Sequence, residues 1–174
     1  QFGAVASSSL KGLTTVQAGV LSTVQSAAIT SVQVAALSGA QLGALTTDAV
    51  TGLVAGVIGV LSSLQLAGFD TSDVQALSTS QSASISSAAV KGLTTVQAGV
   101  LNTDQVRVLT TVAVGALNSA QLGALTTDAV TGLTTVQVRV LNSAQVAGFD
   151  TGDVQALSTA QLPSLTTAGV RGLG

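Results

Sequence analysis

The chain has 174 residues, and only 7% of them are charged, against a usual share of about a quarter; the net charge is −2 and the mean hydropathy +0.65. It contains no His, Cys, Met, Trp, Tyr or Glu. That removes the usual general base, soft metal ligands and disulfides, and it leaves no basic or aromatic surface for nucleic acid.

Nothing in the chain approaches the roughly 18 apolar residues of a membrane span. The longest apolar run, Leu53–Leu61, has nine and includes two glycines. What dominates instead is a period. An apolar residue, mostly Leu, returns every eight positions from Val5 to Leu173 without insertion or deletion. The chain is therefore twenty-one octads of consensus L-(T/S)-T-x-Q-V-x-(A/G), and a fixed short period is the mark of a repeat architecture. The expected organisation is one repeat array over residues 1–174.

Within an octad numbered from its Leu, position 2 is Ser, Thr, Asn or Asp in nineteen of twenty-one units. These are the preferred helix N-caps. Position 5 is Gln in twelve units and Asp in two, three residues after the cap, which is the spacing of a capping box. Positions 1 and 6 are the apolar pair of a hydrophobic staple. The pattern predicts a short helix of about six or seven residues per octad, marginal alone and held by packing. A narrow stripe of Leu, Val and small residues would be buried around a common axis. The fold expected is an all-α solenoid of capped helices. A β-solenoid with one strand per octad is the alternative, because Val and Thr are abundant.

Taken in chain order, the first octad, Val5–Gly12, has Ala6 where a cap belongs and ends in Lys11. The next five keep the consensus up to Val54, the second uncapped start. The octad at Phe69 brings Asp70 and Asp73 as cap and N3 residue. Residues 81–160 then repeat 1–80 at roughly 50 of 80 positions, so ten octads form a superunit. QLGALTTDAVTGL stands at Gln41–Leu53 and Gln121–Leu133, and the Asp70/Asp73 pair returns as Asp150/Asp153. A third superunit begins in residues 161–174, where Pro163 conflicts with a full helix and points to a capped turn only. The pattern is cut mid-unit at both ends, as expected of a window of a longer protein. All seven acids are Asp at positions 2, 4 or 5, and all five cations sit at position 7, the order a helix dipole favours.

Candidate chemistry is thin. Asp150–Thr151–Gly152 resembles the active-site tripeptide of aspartic proteases, but its earlier copy reads Asp70–Thr71–Ser72 and capping explains both. The Asp pairs offer calcium two carboxylates, short of its usual six to eight oxygens. No catalytic, cofactor or metal site is expected, and no enzyme activity. Position 3 is Ser or Thr in nineteen units. Capping does not require it, and at N1 it should point outward. Three readings fit: polar filler, organised water on a flat Thr face, or a ladder of O-glycan sites at Thr15, Thr23, Thr47, Thr95, Thr103, Thr111, Thr127, Thr135 and Thr167.

LTTVQ, LTTDAV and LSTAQL in tandem resemble the LTTAQVAAL-type repeats of very long bacterial surface or secreted proteins. The resemblance implies an adhesin-like, extracellular or cell-surface stalk or filament that self-associates or continues along the repeat axis. The haem-related label some such proteins carry finds no axial ligand here. The alternative function is a soluble repeat scaffold that binds a partner, glycan or ice through its Thr-rich face.

Overall fold

The computed structural model describes residues 6–173; Val5, the apolar start of the first octad, lies outside them. Short helices follow one another at eight-residue intervals, beginning Ser7–Leu10, Thr15–Ala18, Thr23–Ala27 and Ser31–Val34. There is no strand among the described residues, which discards the β-solenoid. The chain is an all-α repeat solenoid.

Most α-helices are shorter than the spacing suggested, from the four residues of Thr15–Ala18 to the six of Thr47–Gly52. The shorter helices end in an αR residue such as Gly19 or Ala67, and in the six-residue helices the apolar position 1 is itself the C-cap. Leu53 is extended (φ −61°, ψ 128°), and its N–H donates to Val50 O three residues back. The tight last turn closes the helix and turns the chain toward the next cap. That cap works as the spacing predicts. Thr94 Oγ1 accepts from Gln97 N at 3.1 Å, and Thr94 N donates to Gln97 Oε1 at 2.8 Å.

Two octads depart from the rule. After Ser86 the chain forms a 3-10 turn at Val90–Gly92, and at Pro163 it forms another at Leu162–Ser164. Ser158 and Gln161 still cap one another there, at 3.1 and 2.7 Å. Pro163 thus sits in a capped turn that asks no α-helical hydrogen bond of its nitrogen.

Helices pack on those that begin 24 residues away. Thr23–Ala27 lies on Thr47–Gly52, and Thr47–Gly52 lies on Thr71–Ala76. Three octads therefore make one turn, and the twenty octads from Leu13 onward fall on three faces. The first face carries the octads starting at Ile29, Leu53, Leu77, Leu101, Leu125 and Phe149. The second carries those at Leu13, Leu37, Leu61, Ile85, Leu109, Leu133 and Leu157. The third carries those at Leu21, Leu45, Phe69, Leu93, Leu117, Leu141 and Leu165.

Positions 1 and 6 from all three faces meet in one continuous core; Leu53, Ile58, Leu66 and Val74 are at most 2% exposed. Burying each such side chain contributes about 1.5–3 kcal/mol, which offsets the weakness of the individual helices. Small residues at position 8 let the turns close. A Cβ on Gly68 would lie 2.1 Å from Gly39 O, and one on Gly148 would lie 2.3 Å from Ser119 O. Phe69 and Phe149 follow these glycines and point into the core, 3% and 9% exposed.

Candidate functional site

The position-5 glutamines do more than cap. From Gln33 onward they are buried, most of them 1–5% exposed. Each uses Oε1 to accept the N–H of its own cap, and from Gln41 onward Nε2 reaches across to the preceding turn. Gln65 Nε2 donates to Leu37 O and Val34 O, both at 2.8 Å. Gln105 does the same to Leu77 O at 2.9 Å and Val74 O at 2.8 Å. Gln121 donates to Leu93 O at 2.7 Å and Val90 O at 3.0 Å. The acceptors lie 28 and 31 residues earlier, and for several amides the carbonyl 30 residues earlier accepts as well, as Gln75 O does from Gln105 at 3.2 Å.

The position-1 carbonyl sits between helices and takes no intrahelical bond, so it needs this donor. One amide thereby fills its acceptor and both its donors at a buried site. Sequence reasoning found the first half of this arrangement and missed the second. A signal was present: a capping box accepts Glu as readily as Gln, yet the chain has no Glu. Only an amide can donate to the turn below.

Where Asp replaces Gln, the joint changes character. Asp73 is 1% exposed. Its Oδ2 accepts from Asp70 N at 3.1 Å and its Oδ1 accepts from Thr47 Oγ1 at 2.9 Å. Burial pushes its carboxyl above the ordinary 3.8, only partly countered by the bonds from Asp70 N and Thr47, and the Asp70 charge adds to the rise. Asp153 is 2% exposed and held by Asp150 N at 3.2 Å. Each pair is a cap and its box partner. Asp70 begins a helix on the third face and Asp150 one on the first, so the two DT motifs do not meet as a dyad. Among the described residues no three acidic, His or Cys side chains converge as a metal site. No helix there is long and apolar enough to cross a membrane.

The position-3 hydroxyls do not form one outward row. Of the nine threonines singled out, Thr47, Thr103, Thr111 and Thr135 are half-buried between turns, and Thr15, Thr23, Thr95, Thr127 and Thr167 are exposed. Several donate upward: Thr23 Oγ1 to Asp48 O at 3.2 Å, Ser31 Oγ to Gly56 O at 3.1 Å, and Thr103 Oγ1 to Asp128 O at 3.0 Å. The outermost row is position 4. It includes Val24 at 81% exposure, Leu64 at 79% and Val16 at 77%.

With this geometry in place, the comparison with known families is specific to the C-terminal part. Residues 103–135, 114–151 and 146–174 match the ALTTAQ repeat. The match covers less than half of the chain and supports its being a repeat-containing protein. No curated protein matches it.

Proposed function

We propose that the chain is a structural shaft, an extracellular or cell-surface filament or stalk. It self-associates or continues along the repeat axis and carries O-glycans on its exposed position-3 threonines. The observation that carries this reading is the amide clamp. The same bonds recur from Gln41 to Gln161, so successive turns repeat one joint rather than build one pocket. A rod of this kind works by its length and stiffness. The low charge favours a surface covered by sugar or by other copies.

The exposed Thr15, Thr95, Thr127 and Thr167 are the best placed for glycans. A flat Thr face for ice or a partner has less support, because Thr47, Thr103, Thr111 and Thr135 are half-buried. Electron microscopy with intact-mass measurement of native material tests the proposal. Long fibres heavier than the polypeptide support the shaft and its glycan coat. Long fibres at bare polypeptide mass keep the shaft and discard the coat. Dispersed, unmodified monomers at high concentration refute both.

A further inference from the structure

The three faces differ in one row. On the second face every position-4 residue is apolar and exposed. Val16, Leu64, Val112 and Val136 are 77%, 79%, 66% and 55% exposed, and Ala40, Ala88 and Ala160 stand between them in the exposed class. The same row is broken by Asp104 and Asp128 on the first face and by Asp48 on the third. All seven acids of the chain lie on those two faces, and none lies on the second.

We infer that the second face is a lateral docking surface for a second copy of the chain, the apolar row of one lying along the apolar row of the other. The row repeats once per solenoid turn, and only another array of the same pitch offers apolar contacts at that spacing along its whole length. Seven residues span six intervals of about 9 Å, on helices about 10 Å wide, and the strip they mark is roughly 500 Å² per copy. Two strips bury roughly 1,000 Å², about what a specific interface needs. A strip of this size is comparable to the largest apolar patch of a typical monomer, which is often functional. The second face carries two exposed cations, Lys91 and Arg139 at position 7, beside the row and not in it, and no acid. Carboxylates at position 4 would be desolvated in such a contact, and they occur only on the other two faces. This pairing is lateral and does not depend on axial growth or glycans.

The test is sedimentation velocity over a concentration series on the chain and two double variants. Leu64→Asp with Val112→Asp alters the row; Val24→Asp with Val32→Asp places the same charges on the third and first faces. Asp48, Asp104 and Asp128 already occupy this helix position, so circular dichroism of both variants should match the parent. The expected result is a parent that pairs, a row variant whose association is at least about tenfold weaker, and a control that pairs like the parent. A parent monomeric at every concentration, a row variant that still pairs, or equal loss in the control would overturn the inference. Fibres elongating in electron micrographs of the row variant separate axial growth from lateral pairing.

Discussion

Gln and Asp at the same octad position hold the turns by different means, and two buried side chains, Asp73 at that position and Ser82 at position 6, each give a test of how buried polar groups are held. Asp73 is protonated more readily in the fold than in the open chain, because burial raises its carboxyl above 3.8. Its contribution to stability is therefore complete below that value and is lost as the pH rises through the raised one. The thermal midpoint should fall across this window, and Asp73→Gln should flatten that part of the profile. Gln at this place can also donate to the Leu45 and Leu42 carbonyls, 28 and 31 residues earlier, so the variant should gain about 1 kcal/mol at neutral pH. Denaturant titration at two pH values checks both; a midpoint that rises with pH, or a Gln variant less stable than the parent, counts against the reading. Ser82 is a second case. Its hydroxyl is fully buried without a partner. Ser82→Ala should stabilise by about 1 kcal/mol, since a buried unpaired hydroxyl costs that or more; a destabilised variant would show that the hydroxyl has a bonding role.

The individual helix was the most legible level in the sequence. Caps, boxes and staples are local, and Thr94–Gln97 or Asn102–Gln105 can be read from spacing alone. Helix length was less legible, because the chain must reach an extended Leu at position 1 of the next octad, and each α-helix closes within four to six residues, at an αR cap such as Gly19 or at that Leu itself, as at Leu53. The helix Ala55–Ile58 begins at Val54, which makes no side-chain cap bond. Val54→Thr should stabilise by about 1 kcal/mol, read as a raised denaturation midpoint. Two glycines separate propensity from packing. A Cβ on Gly56 meets nothing within 4 Å, so Gly56→Ala should gain about 0.5–1 kcal/mol in that helix. A Cβ on Gly92 would lie 1.9 Å from Ser63 O, so Gly92→Ala should lose several times that amount. Equal midpoints for the two variants would mean that the turns can move apart without cost.

At the scale of the whole molecule, three octads per turn could not be read from a period of eight, which suits any number of octads per turn. The information lies in contacts 24 to 31 residues apart, and the position-5 amides make them. For the same reason the position-3 threonines were read as outward, whereas the neighbouring turn half-covers Thr47, Thr103, Thr111 and Thr135. The outward row is the partly valine-bearing position 4. The 80-residue superunit also takes a new meaning. Ten octads are three turns and one octad, so each copy is rotated by one face, and Asp70/Asp73 and Asp150/Asp153 lie on different faces. A feature that recurs once per superunit winds around the shaft, whereas the apolar row runs straight along the second face. The central claim is that the position-5 amide, acting as a donor, joins one turn to the next. Equilibrium unfolding of Gln121→Glu tests it most directly, because Glu keeps the capping box with Asn118 and loses only the donations to Leu93 O and Val90 O. The account predicts a loss of about 3–5 kcal/mol at neutral pH, partly recovered in acid as the carboxyl gains a proton to donate. A variant as stable as the parent at neutral pH would contradict it, and would leave capping alone to explain the glutamines.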